Sequence, residues 1–352
     1  MVPTLDQNAK QHVNPAGKKV VSIAMQGGGA HGAFSWGVLD KLLEDGRFII
    51  EGVTGTSAGG MNAVATIQGL IEGGNEGARK LLYKYWKAIS DTAKISGIHR
   101  GIIDRLMGVY TMYNSPEFIM FDLMSKVMSP YQTNPFNANP LRDVIERTFD
   151  FKKINETKDY KIFLAATHVY TGKIKIFGNK DLSVDTLLAT GCLPTVFKAA
   201  FVDGEYYWDG GFTANPVMYP LIYNCASPDI IMLKLNPTHR NKLPTTACEI
   251  SDRLNEITNN ASILKEMRAI KFISDLIDKK DLDPTKYKRV FVHNIENEKT
   301  FQDCGWSSKL NSEWDFLMYL FEEGRKTADE WIQKNYEFVG KRNTIDEVEM
   351  FF

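Results

Sequence analysis

Ser57 stands at the centre of Gly55-Thr56-Ser57-Ala58-Gly59, a Gly-x-Ser-x-Gly run. A serine among small residues on a sharp turn exposes its hydroxyl, and the glycines let neighbouring backbone come close. If the turn opens a helix, the helix N-terminus also favours negative charge developing near that hydroxyl. Taken alone, the run equally fits a glycine-rich helix start with Ser57 as an ordinary N-cap. Acyl transfer requires two further parts, donors for an oxyanion and a base for the serine.

Gly27-Gly28-Gly29-Ala30-His31-Gly32 offers the donors, as a loop of backbone N–H groups unshielded by side chains. The same run fits the dinucleotide fingerprint Gly-x-Gly-x-x-Gly, with the acidic Glu51 lying 19 residues past Gly32. On that second reading the chain is an NAD(P)-binding oxidoreductase. For the base there are six histidines, His12, His31, His99, His168, His239 and His293. A serine–acid–histidine order needs His239 or His293, neither of which has a marked loop signature, and His293 falls in a predicted strand where a structural role is expected. Asp209-Gly210-Gly211, closing the aromatic stretch Tyr206-Tyr207-Trp208, is the better candidate, although Asp-Gly pairs also make common turns.

The elements that must position these groups follow from apolar periodicity. Lys19 to Met25 predicts a buried β-branched strand, and Phe34, Trp36, Val38, Leu39, Leu42 and Leu43 mark an amphipathic helix that stops near Gly46. Phe48 to Thr54 predicts a second strand, followed by a helix from Met61 to Gly73-Gly74. Strand–turn–helix twice in succession implies a parallel α/β sheet. The Met- and aromatic-rich stretch from Met107 to Tyr131 suits an acyl-chain pocket or a lid touching lipid, or else helices packed on the sheet edge. Ser115-Pro116-Glu117 and Asn139-Pro140 open helices there. Further strands are expected at Lys161 to His168, Lys173 to Phe177, Asp229 to Leu235 and Arg289 to Ile295. Helices are expected from Ile250 to Ile277 and after Asn311-Ser312.

Composition sets the outer bounds. Over 352 residues the net charge is −1, so no field steers a polyanion and nucleic acid is not an expected partner. The 27 glycines are an average number, yet 14 of them lie between Gly27 and Gly77, where both glycine motifs fall. Cys192, Cys225, Cys248 and Cys304 are far apart without metal-ligand spacing, which predicts buried thiols in a reducing compartment and no metal. Residues 1–18 form a polar tail without the apolar core of a signal peptide, and no run approaches the roughly 18 apolar residues of a membrane span. A cytoplasmic protein is expected, with export by a route needing no N-terminal signal left open.

The three motifs in this order resemble the patatin-like phospholipase family, whose pattern is a glycine-rich oxyanion loop, a Gly-x-Ser-x-Gly elbow and a late Asp-Gly-Gly or Asp-Gly-Ala. Leu193-Pro194-Thr195-Val196-Phe197 and Asn215-Pro216 strengthen the likeness, which runs from about Lys19 to Leu235. Ser307-Ser308-Lys309-Leu310-Asn311 and Gly324-Arg325 look like the C-terminal extension of a bacterial subgroup. The resemblance implies a three-layer α/β fold, a central mostly parallel sheet flanked by helices, with a mainly helical extension. The division it suggests is a tail over 1–18, a catalytic domain over 19–240 and an extension over 241–352 packed on the core. It implies a lipid acyl hydrolase (phospholipase A, lysophospholipase or a less specific enzyme) acting through an acyl-enzyme, without cofactor. Ser57 would be nucleophile and Asp209 general base. Gly27, Gly28 and Gly29 would form the oxyanion hole, with His31, Gly55, Gly59, Gly210 and Gly211 in support. The implied partner is a lipid or ester substrate, met in solution or at a membrane or micelle surface. A non-catalytic lipid-binding scaffold is the alternative within the same family. The chain departs from the pattern at His31, where many members carry Arg or Lys, and at Gln26, where Asp is frequent.

Overall fold

The computed structural model describes residues 17–94, 99–302 and 304–345; most of the polar tail, residues 1–16, lies outside that range. Among the described residues the strands are β1 (Lys19–Met25), β2 (Phe48–Gly55), β3 (Lys161–His168), β4 (Ile174–Gly178), β5 (Ala200–Val202), β6 (Glu205–Asp209), β7 (Asp229–Leu233) and β8 (Phe291–Ile295). The helices of the first half are α1 (Gly32–Asp45), α2 (Ala58–Ala93), α3 (Ile102–Leu106), α4 (Pro116–Val127), α5 (Pro130–Thr133), α6 (Pro140–Thr148) and α7 (Phe151–Glu156). Those of the second half are α8 (Val184–Thr190), α9 (Tyr219–Asn224), α10 (Ala247–Asp278), α11 (Glu298–Gln302) and α12 (Trp314–Asn335).

The strands form one sheet in the order β5-β6-β3-β2-β1-β7-β8, and β4 pairs with β3 off this path. The pairs β3–β2, β2–β1, β1–β7 and β7–β8 are parallel; β4, β6 and β5 are added antiparallel. Alternation along the strands divides the core between two faces. Ile23, Met25, Ile231 and Leu233 pack with residues of α1, α2 and α12, whereas Ala24, Ile230 and Met232 pack with Met218, Leu221, Ile263 and Met267 of the α9 and α10 side. The expected three layers are therefore present.

Several ends follow the predicted chemistry. Gly46, at φ 72°, closes α1 by donating its amide to Leu42, a left-handed cap that favours glycine. Ser115 caps α4 with Pro116 at the first helical position, and Asn139 does the same for α6. Gly73 and Gly74 leave helical geometry, at φ −162° and φ 60°, so the helical run after Ser57 stops there as expected and α2 resumes beyond the kink as a second helical segment to Ala93. The aromatic stretch before Asp209 is itself a strand, β6, paired with both β5 and β3.

The C-terminal third is more than helical, since β8 extends the sheet beside β7. Its helix α12 lies against α1 so closely that a Cβ at Gly37 would overlap the Phe321 carbonyl, and one at Gly324 the Phe34 carbonyl. His293 in β8 is fully buried, bonded to Asp229 at 2.8 Å and Thr344 at 3.1 Å.

Candidate active site

Register brings the chemistry-bearing loops together. Met25 lies opposite Gly55 on one side and Leu233 on the other, so β1, β2 and β7 end level with one another. The loops leaving those ends carry Gly27–Gly29, Ser57 and Asn236, at the carboxyl edge where open α/β sheets bind their ligands. Asp209 arrives from β6, beside Ala166 of β3.

Ser57 sits between β2 and α2 at φ 54° and ψ −124°, a left-handed conformation costly for a residue with a side chain. The turn is tight because Gly55 and Gly59 meet backbone to backbone, leaving no room for a Cβ at Gly55. The Ser57 amide donates to Thr190 O at 3.1 Å and the Gly59 amide to Thr56 O at 2.8 Å. Such strain is characteristic of an elbow that presents a nucleophile.

Asp209 is 5% exposed and is fixed by its neighbours. Its amide donates to Cys192 O at 2.8 Å, and its Oδ1 accepts the Gly211 amide at 2.7 Å. The Ser57 side chain lies near enough to the carboxylate to favour its charged form. Burial pushes the carboxyl up to about 6, against the opposing pull of the Gly211 amide, Ser57 and the Lys309 charge. Gly210 is required here because a Cβ would run into the Ala165 carbonyl of β3.

The glycine loop divides in its duties. The Gly27 amide is already given to Asn215 Oδ1 at 2.6 Å, which corrects the expectation that it is a free oxyanion donor. Gly28 and Gly29 have no acceptor for their amides among the described residues, and both reach the surface. Gly29 takes φ 57°, with the Lys309 carbonyl packed where a Cβ would stand.

Gln26 and Asn215 form the hub that fixes this loop. Gln26 Nε2 donates to Asn215 O at 3.0 Å and to Asn260 Oδ1 at 3.2 Å. Its Oε1 accepts the amides of Leu235 at 2.7 Å and Asn236 at 3.0 Å. Asn215, whose peptide to Pro216 is cis, also donates to Asn259 Oδ1 at 2.9 Å. The amide at position 26 therefore ties β1, β7, α10 and the segment after Asp209 together.

His31 is buried against Phe301 and Phe316 and bonded to Ser308 Oγ at 2.7 Å. Ser308 donates its own proton to Gly305 O at 2.8 Å, so His31 carries hydrogen on Nε2. Burial, with the Lys309 charge, holds this imidazole well below its ordinary value, and at pH 7 it is neutral. Its Nδ1 has no partner among the described residues, and His31 lines a cavity of about 10 Å³ with Asn236, Asn255, Glu256 and Lys309.

Lys309 brings a cation to this place. Its Nζ donates to Asn236 Oδ1 and Asn255 Oδ1, both at 2.8 Å, and its charge interacts with Asp209. Burial lowers the ammonium to about 8, opposed by the nearby carboxylates Glu256, Asp252 and Asp209. Motif spacing did not single Lys309 out as a site residue, because some 250 positions separate it from Ser57 in the chain. The available signal was the helical spacing of Asn255, Asn259 and Asn260, a polar face in a helix that had to turn inward. Gly191 was missed too: a Cβ there would lie 3.4 Å from Ser57 Oγ.

None of the described histidines is hydrogen-bonded to Ser57 or Asp209; His293 is committed to Asp229 and Thr344, and His239 is exposed. Glu51 accepts the Ala226 and Ser227 amides at 2.6 and 2.8 Å, ahead of β7 and away from the glycine loop. It is not placed to receive a ribose hydroxyl, as the dinucleotide reading required.

The family pattern for patatin-like phospholipase matches residues 23–221, more than half of the chain. The chain belongs to this family. Among solved structures, this patatin-like chain is similar to VipD from Legionella pneumophila, at 12% identity and a TM-score of 0.39, covering 90% of this chain and 67% of that one. It is also similar to type III effector protein ExoU, at 15% identity and a TM-score of 0.32, covering 90% of this chain and 53% of that one. Full-length ExoU of Pseudomonas aeruginosa in complex with SpcU gives 15% and 0.35, with the same coverage. The patatin-like chain thus spans about half the length of ExoU. No curated protein shows significant sequence similarity to it.

Around the patatin-like core, α4 points Ile119, Met120, Leu123 and Val127 outward, each more than half exposed, while Phe118 anchors it against Tyr113 and Trp306. The following segment reaches the loop after Gly191, with Lys198 donating to Pro135 O at 2.8 Å. Among the described residues no helix is long and apolar enough to cross a membrane, and no His/Cys/Asp/Glu group is arranged to hold a metal.

Proposed function

We propose that the protein is a serine acyl hydrolase that cleaves carboxylic esters of lipids through Ser57 and Asp209. The observation that carries this reading is a buried Asp209 carboxylate close to a serine on a strained elbow. Asp209 takes the Ser57 hydroxyl proton as Oγ bonds to the ester carbonyl carbon, and the carbonyl π pair moves onto oxygen. The Gly28 and Gly29 amides receive that oxyanion. The intermediate collapses, the C–O bond to the alcohol breaks, and Asp209 returns the proton to the leaving oxygen. Water then attacks the acyl-enzyme by the same route, releasing the acid and restoring Ser57.

A carboxylate is ordinarily a weak base for a hydroxyl. Burial raises Asp209 to about 6 and so narrows the gap, while remaining low enough for it to be ionised at neutral pH. The outward apolar residues of α4 suit acyl chains or the surface of a membrane or micelle, and residues 107–131 serve on this reading as the flank over which lipid arrives.

Ester turnover across chain lengths and head groups tests the proposal, with wild type compared to Ser57→Ala, Asp209→Asn and His293→Ala. The first two are expected to lose at least about a thousandfold in kcat and the third to keep most of it. Lipid binding without turnover in the wild type would leave a non-catalytic scaffold instead.

A further inference from the structure

We propose that Lys309 is a positioning residue of the Ser57–Asp209 site, a fixed cation that orders the oxyanion loop and offsets the negative charge that moves during acyl transfer. The inference rests on the acyl-hydrolase reading.

Two amide chains join the Lys309 ammonium to the glycine loop. In one, Lys309 donates to Asn255 Oδ1, which also receives Asn259 Nδ2 at 3.1 Å; Asn259 Oδ1 receives Asn215 Nδ2, and Asn215 Oδ1 receives the Gly27 amide. In the other, Lys309 donates to Asn236 Oδ1, Asn236 Nδ2 donates to Gln26 Oε1 at 3.2 Å, and Gln26 Nε2 donates to Asn215 O. The backbone of the same residue closes the arrangement, since its carbonyl rests on Gly29. Lys309 thus touches the loop directly and holds it through both chains.

The groups facing this cation explain why it is useful there. Its two hydrogen-bond acceptors are neutral amides, so no carboxylate contact cancels the charge. Glu256 is engaged by Arg240 and by Arg253 at 3.1 Å, and Asp252 receives Tyr113 at 2.6 Å and the Trp306 amide at 2.7 Å. His31 is neutral. Asp209, whose other neighbours are Ser57, the Gly211 amide and the Cys192 thiol, also interacts with the charge. As the proton passes from Ser57 to Asp209, one negative charge leaves the carboxylate and appears on the oxygen at Gly28 and Gly29. The site keeps the same net charge throughout, and a cation beside both positions stabilises it with no reorganisation.

The experiment measures p-nitrophenyl butyrate hydrolysis by full-length wild type, Lys309→Met, Lys309→Arg and Asn255→Leu between pH 5 and 10, with active sites counted by fluorophosphonate. Lys309→Met is expected to lower kcat by roughly 10- to 100-fold with little change in KM. Its acid limb should shift to higher pH and its alkaline limb near pH 8 should vanish; Lys309→Arg should keep a limb below that of Lys309→Met. A loss of active-site count or melting temperature with an unmoved pH profile overturns the inference, leaving Lys309 a packing residue. If Lys309→Met does not fold, Asn255→Leu decides by the same criterion, with a smaller shift in the same direction. Wild-type protein without Ser57-dependent turnover overturns the acyl-hydrolase reading and this inference with it, whereas turnover with unmoved profiles overturns this inference alone.

Discussion

The side-chain oxygen of Asn215 accepts the Gly27 amide at 2.6 Å and its Nδ2 donates to Asn259 Oδ1 at 2.9 Å, so the glycine loop is held by a residue 188 positions away from Gly27. Replacing Asn215 by Leu leaves the buried Gly27 N–H unpaired. A loss of about 1–3 kcal/mol in stability is expected by denaturant unfolding. Because the freed amide no longer fixes the loop, kcat should fall more than KM rises; unchanged kinetics in a folded variant would contradict this.

Asp209 sets a conflict between activity and stability. Its folded value of about 6 lies above the ordinary 3.8, so ionisation weakens the fold as pH rises through that window and weakens it fully above it. Asp209→Asn removes a penalty on the order of 3 kcal/mol at pH 8 and nearly none at pH 3. Thermal melts should therefore show an inactive variant that is more stable than wild type at pH 8, with the difference closing in acid.

On the proposed mechanism the same ionisation sets the rate. kcat/KM should rise as pH passes about 6, where Asp209 becomes a base, and fall past about 8, where the Lys309 ammonium discharges. A plateau extending below pH 5 would rule out Asp209 as the base.

At Ser57 two inactive variants should separate by stability. Ser57→Gly relieves the positive φ and Ser57→Ala does not, so the glycine variant is expected to be more stable by about 1–3 kcal/mol. Equal melting temperatures would mean that the elbow carries no strain.

Gly37→Leu tests the crossing of α1 and α12. No space exists for the new side chain against the Phe321 carbonyl, and the fold should lose at least about 1–3 kcal/mol. Ester turnover should fall with it, because the loop containing Gly29 leads directly into α1.

Much of this arrangement was legible in local chemistry. Strands β1 to β3, the capping residues Gly46, Ser115 and Asn139, and the elbow at Ser57 are encoded within a few neighbouring residues. Long-range partners were not. Nothing local distinguishes Gly27, whose amide is taken by Asn215, from Gly28 and Gly29, whose amides are not. The short strand β5 has three residues and no periodicity to reveal it. Lys309 and Gln26 gain their meaning only from tertiary contacts, and Gln26 is buried because its amide meets five polar partners at once.

The contact of Gly37 and Gly324 with the opposite helix backbones has a consequence for the order of synthesis. Residues 23–221 leave the ribosome well before Lys309 and α12 exist. A nascent chain stopped before them has its serine and aspartate but neither the ammonium nor the helix that braces α1. On the proposed mechanism, catalytic competence then waits for Lys309 and α12, which are translated long after Ser57 and Asp209.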